Sequence, residues 1–220
     1  MAQNAEESPL EIRDCGLADY REILRLQHQL CQEKQQRRIA NTVLIVEHPA
    51  VITLGAHQSR NKLLVSREDL ALKRIDLVDI RRGGGATAHN PGQLVFYPIL
   101  DLLQLQLGVS QYIRELEAIG AELLRQLGVD STRQEGSPGL WVGGRKIASI
   151  GVRISKHTTY HGMAINIQND LGIFDSIVPC GLDNVQMTSV LKETGKRHPM
   201  EQVKKSLAGL LTAHFSARTP

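Results

Sequence analysis

Between residues 19 and 38, Tyr20, Ile23, Leu24, Leu30 and Cys31, with Gln27 in step, fall on one face of a 3.6-residue period. The spacing predicts a helix there, with Cys31 facing the core as a small hydrophobe. Residues 42–47 and 51–55 are rich in Val, Ile, Leu and Thr and read as strands. Ser66 with Asp69 three residues on resembles a capping box, opening a helix to about Lys73. Residues 77–80 and 94–97 read as further strands. Ser110 is placed to cap a long helix carrying Ile113, Leu116, Glu117, Gly120, Leu123, Leu124 and Leu127 on one side, with Gly128 as its stop.

From residue 140 the period changes to two. Residues 140–142, 146–154 and 158–167 read as consecutive strands, the first pair joined by a Gly143-Gly144 hairpin. A short helix is expected near Thr188. A last helix carries Pro199 in its first turn and Val203, Leu207, Leu210 and Leu211 inward. Helices flank a mostly consecutive strand set, so the expected fold is mixed α/β in one domain over residues 1–220, with polar residues 1–9 frayed.

Composition narrows the function. The chain has 220 residues, 41% hydrophobic and 22% charged, ordinary for a globular protein long enough to bury a core. Aromatics make up only 4%, too few for a base-stacking surface, so no nucleic-acid partner is expected. A net charge of +3 suits an acidic protein partner rather than general DNA binding. Three cysteines, Cys15, Cys31 and Cys180, an odd number with no paired spacing, argue against a disulfide framework and for a reducing compartment. No apolar run approaches bilayer length, and residues 1–9 resemble neither a signal nor a transit peptide. A cytoplasmic protein without membrane contact is expected.

Three stretches carry candidate chemistry. Cys180 lies between Pro179 and Gly181, in a setting that suits a fixed, tight loop and a positioned thiol. Alone it reads better as a buried cysteine. The run from Arg81 to Gln93 holds Gly83, Gly84 and Gly85, which suit a backbone that approaches a ligand closely. It matches neither the dinucleotide nor the Walker pattern. Lys146 opens the third stretch, Lys146 to Gly151, and would read as a surface lysine without Cys180. His157 and His161 have zinc-helix spacing, but the surrounding β-branched residues say strand, so no metal site is expected.

In this order, four motifs resemble the lipoyl(octanoyl) transferases. They are Arg82-Gly83-Gly84 with Thr87, His89 and Pro91-Gly92-Gln93; Lys146 to Gly151; His161-Gly162 with Ala164 and Asn166; and Pro179-Cys180-Gly181. Cys180 follows Lys146 by 34 residues (180 − 146 = 34). The helix around Tyr20 and residues 47–55 are similar to that family too, so the likeness spans about residues 12–215. Two positions depart from it: Ala88 stands where the family usually has tyrosine, and Asn90 where it has glycine. Both bear on acyl-chain selectivity and rate rather than reaction class. The run Arg81 to Ala86 leans towards the look of lipoate ligases.

The resemblance implies the catalytic fold of biotin and lipoate-protein ligases, a mixed sheet with packed helices. It implies transfer of an octanoyl group from octanoyl-acyl carrier protein to a lysine of a lipoyl domain. Such domains belong to 2-oxoacid dehydrogenase E2 subunits and the glycine cleavage H protein. Cys180 takes the place of the acyl-accepting thiol and Lys146 that of its partner. The substrate-contact places fall to Arg82, Gly83, Gly84, Gly85, Ala86, Thr87, Ala88 and His89, to Ser149, Ile150 and Gly151, and to Gly162, Met163 and Ala164. No ATP, metal or other cofactor is implied. The competing expectations are an ATP-dependent lipoate-protein ligase, which does not need Cys180, and a non-catalytic acyl-protein-binding module.

Overall fold

The protein is described by a computed structural model covering residues 10–179 and 185–216. In chain order the elements begin with β1 (Glu11–Leu17), α1 (Tyr20–Gln35), β2 (Thr42–Glu47) and β3 (Val51–Leu54). Then come α2 (Arg67–Leu72), β4 (Asp76–Asp79), β5 (Thr87–His89), β6 (Gln93–Ile99) and α3 (Val109–Gln126). The chain continues through β7 (Gly139–Val142), β8 (Arg145–Ser155), β9 (Thr158–Asn166), α4 (Val190–Thr194) and α5 (Met200–Ser216).

A six-stranded sheet runs β1-β2-β6-β9-β8-β7, and a three-stranded sheet runs β4-β3-β5. In the large sheet only β1 and β2 pair in parallel; the other pairs are antiparallel. Alternation along the strands sorts the two faces. Val43, Ile45, Leu94 and Phe96 pack with α3 and α5 on one side. Leu44, Val46, Val95 and Tyr97 meet α1 on the other. The small sheet closes a separate cluster with Ile52, Leu70, Ala88 and Phe174. This is the expected mixed α/β arrangement.

Local signals explain most of these elements. Asp19 caps α1 by accepting from the amides of Arg21 and Glu22. Ser66 and Asp69 make both bonds of a capping box. Gly143 and Gly144 have φ of +52° and +80°, as the tight β7–β8 hairpin requires. Gly128 follows α3 with φ +84°.

Three features differ from the sequence reading. β1 forms in a stretch to which the sequence reading assigns no element, because its backbone completes a parallel ladder on β2. β5 forms inside what reads as a loop, paired with β3 from Val51↔His89 to Thr53↔Thr87. The cap of α3 is Gly108, with no side-chain bond; Ser110 already lies within the helix.

Candidate active site

The cavity of interest lies on the α1 side of the large sheet, beneath β5 and the glycine-rich run. Its floor is β8 and β9, paired so that Gly151 faces Gly162 and Ser149 faces Ala164. Its roof is Arg82, Gly83, Gly84, Thr87 and His89, and Tyr20, Val95, Tyr97 and His161 close the inner end. The space is narrow, about 40 Å³. Close backbone approach makes it so. A Cβ on Gly55 would overlap the carbonyl of Gly84, and one on Gly151 would sit 3.0 Å from Arg82 Cδ and 3.1 Å from Gly83 O. Gly83 N–H donates to Val152 O at 3.1 Å, which docks the glycine run on β8.

Most of the residues named from sequence meet here. Arg82, Gly83, Gly84, Thr87, His89, Ser149, Ile150, Gly151, Gly162, Met163 and Ala164 line the cavity. Gly85, Ala86 and Ala88 do not. Alternation along β5 turns Thr87 and His89 to the cavity and Ala88 away from it, into the cluster around Ile52, where Ala86 also packs. The departure at Ala88 is therefore felt through the small sheet. Asn90 donates to Asp170 O at 2.8 Å and accepts from Asn169 at 3.0 Å, so it ties β5 to the segment after β9.

Arg82 is buried and spends donors on the protein itself. One guanidinium nitrogen donates to Thr53 O (3.0 Å) and Thr53 Oγ1 (2.8 Å), and another to Gly83 O (3.0 Å). Two neutral histidines, His89 and His161, line the cavity with it, and His48 lies behind His89. Burial pushes His89 down to about 3, helped by His48 nearby; burial and then the charge of Arg82 push His161 to about 3. Burial also takes His48 to about 4. Arg82 is thus the single charged side chain among the described lining residues. His89 Nδ1 lies 2.7 Å from Gln93 Oε1 and its ring stacks on Tyr20. His48 sits between Ala18 O (2.8 Å) and the Tyr97 hydroxyl (2.9 Å).

The cavity shares Gly83, Gly84, Ile150 and Gly151 with an outer cleft of about 310 Å³ that Lys146 lines. Lys146 is 2% exposed, not the surface lysine its strand position alone suggests. Its Nζ donates to Pro138 O at 3.1 Å and lies 4.9 Å from the centre of the Trp141 ring. Glu117 supports this corner: its carboxylate accepts from Gly139 N at 3.0 Å, and a Cβ on Gly139 would sit 2.9 Å from Lys146 Cε.

Cys180 and Gly181 lie outside the described residues, but the chain on both sides is anchored. Before them, Val178 N donates to Lys62 O at 3.0 Å. After them, Lys146 N donates to Gln186 O at 2.8 Å, and Thr188 N to Lys146 O at 2.9 Å. The backbone therefore returns to Lys146 six residues after Cys180 (186 − 180 = 6). Asn166 holds the same segment by donating to Thr188 O at 2.9 Å while accepting from Gln93 at 2.8 Å. Glu193 accepts from Arg145 and from the Thr188 hydroxyl.

Sequence spacing missed Tyr20 and Tyr97 as wall residues, Thr53 and Trp141 as the contacts that hold Arg82 and Lys146, and Glu117 and Asn166 as supports. Tyr20 and Glu117 were legible only as inward positions on their helices, and Asn166 only through the His161 motif. The others reach the site through strand pairing between distant segments, which leaves no local signal.

Residues 19–212 match the lipoyl protein ligase A/B catalytic domain. The chain belongs to that family. Within it, curated relatives at 35–41% identity are octanoyltransferases. The one from Koribacter versatilis (strain Ellin345) is 39% identical over 199 residues, 88% of this chain and 79% of its own. That from Roseiflexus sp. (strain RS-1) is 40% identical over 209 residues, 94% and 87% respectively. Among solved structures, lipoate-protein ligase A bound with ATP superposes with a TM-score of 0.71 at 15% identity, covering 96% of this chain and 86% of that one. Biotin protein ligase from Aquifex aeolicus with biotin and ATP gives 0.54 at 12% identity, covering 96% and 72%. These two likenesses carry the fold alone. The octanoyltransferase relatives make this chain an acyltransferase. Among the described residues no helix is long and apolar enough to cross a membrane.

Proposed function

We propose that the chain transfers an octanoyl group from octanoyl-acyl carrier protein to a lysine of a lipoyl domain, through a thioester on Cys180. The acceptors would be lipoyl domains of 2-oxoacid dehydrogenase E2 subunits and the glycine cleavage H protein. The observation that carries the reading is the buried Lys146 at the outer end of a glycine-walled cavity, hydrogen-bonded along its backbone to the segment that follows Cys180.

In the first step the Cys180 thiolate attacks the thioester carbonyl. A new carbon–sulfur bond forms, the carrier's thiolate leaves, and Lys146 hands it the proton taken from Cys180. In the second step the acceptor lysine amine attacks the acyl-enzyme. The amide bond forms, the thioester carbon–sulfur bond breaks with Cys180 leaving as thiolate, and the amine's extra proton passes through Lys146 to that thiolate. Thioester to thioester is nearly isoenergetic, and thioester to amide runs downhill, so no nucleotide is required. Backbone amides near Cys180 and Gly151 are the candidate donors to the oxyanion. Arg82 serves as wall: its bonds to Thr53 and Gly83 brace the roof of the cavity.

The second reading, ATP-dependent lipoate ligation, draws on the match of residues 19–212 to a family that includes both lipoyl protein ligase types, A and B. The test is transfer to a purified lipoyl domain under two regimes. The octanoyl-acyl carrier protein reading predicts full transfer without ATP, and none from free octanoate with ATP. The reverse pattern establishes the ligase.

A further inference from the structure

We infer that His161 is the end wall of the acyl cavity and sets the length of chain the enzyme accepts. The inference rests on the reading that this cavity takes the acyl chain. His161 lines the inner cavity and, on its other side, a second basin of about 420 Å³ formed by Leu24, His28, Asp79, Arg81, Arg153 and Tyr160. Among the described lining residues it is the one the two spaces share. The mouth of the cavity lies at Gly83, Gly84, Ile150 and Gly151, towards Lys146. A chain entering there with its carbonyl near Lys146 points its methyl end at Tyr20, Tyr97 and His161. Tyr20 and Tyr97 line only the inner cavity among these spaces, whereas His161 has the basin on its other side, with Tyr160 beside it.

The ring is fixed as volume. It contacts Tyr97 on the cavity side (centroids 6.4 Å, near perpendicular) and Tyr160 on the basin side (5.0 Å). Its Nδ1 is buried and makes no hydrogen bond among the described residues. The backbone holds it there with φ +56°, and its N–H donates to the buried Gln27 at 2.8 Å.

The left-handed backbone makes a clean test available, because glycine adopts it without cost and asparagine readily. His161→Gly removes the partition and joins the narrow cavity to the basin; His161→Asn opens it in part. Each variant is assayed with octanoyl-, decanoyl- and dodecanoyl-acyl carrier protein and a lipoyl-domain acceptor. The ratio of kcat/KM for dodecanoyl over octanoyl should rise by about tenfold or more in His161→Gly, since each added CH2 taken out of water favours binding by about fourfold at most. His161→Asn should fall between it and the wild type, and answers the question alone if the glycine variant does not fold. An unchanged ratio in a folded variant overturns the end wall, as does loss of transfer with all three chains. A wild-type enzyme that transfers no octanoyl group from the carrier overturns the acyl-carrier reading beneath it, and the two failures are told apart by that arm.

Discussion

Lys146→Met and Lys146→Arg should each lower octanoyl transfer by about 10²–10⁴-fold, the usual contribution of a positioned proton-transfer group. The stem of Lys146 is buried beside Trp141 and Gly139, so methionine keeps the packing and loses the amine. Arginine keeps the positive charge but does not give up a proton in a protein. The pair of variants therefore separates two jobs. If charge beside Cys180 were all that mattered, arginine would retain most of the activity. If Lys146 carries protons between thiol, leaving group and amine, both variants fail alike. Rates are measured with octanoyl-acyl carrier protein and a lipoyl domain, after circular dichroism and urea unfolding show both variants folded. An arginine variant above a tenth of wild-type activity contradicts the shuttle.

Gly162→Ala should destabilise the fold by about 3 kcal/mol, near the upper end for overpacking, and lower the unfolding temperature by about 6–12 °C. A methyl at Gly162 would overlap the backbone oxygen of Phe96 and meet Pro98 Cδ at 2.9 Å. Neither neighbour is the free end of a flexible side chain, so β6 and β9 must part at the cavity floor. Gly209→Ala is the matching control. A Cβ there meets nothing within 4 Å, and the residue lies within α5. Helix propensity then makes the same substitution stabilising, by about 0.5–1 kcal/mol. Thermal and urea unfolding of the two variants should move in opposite directions. A Gly162→Ala shift as small as that of an exposed loop glycine would mean that β6 and β9 are not held at this separation.

How much of this was legible in the sequence depends on how far each signal reaches. α1, the Ser66–Asp69 capping box, the Gly143-Gly144 hairpin and the stop at Gly128 are written within a few residues, and each stands where its pattern places it. β1 is half-buried and irregular, so its strand character comes from β2 rather than from its own composition. β5 is hidden because its three residues lie in a glycine-rich run and are recruited by β3. Arg82, Gly151 and Gly162 could be picked out by motif, but not that Ala88 faces away from them, since that requires knowing β5 exists. The burial of Lys146 follows from the return of residues 186–188 beside it, a contact between segments about 40 positions apart in the chain.

The central claim is a covalent one, and intact-protein mass spectrometry tests it most directly. The native chain and Cys180→Ala are each mixed with octanoyl-acyl carrier protein in the absence of ATP and of any acceptor. The account predicts one octanoyl adduct on the native chain, labile to hydroxylamine as a thioester is, and none on Cys180→Ala. No adduct on the native chain, or an equal one on both, contradicts it.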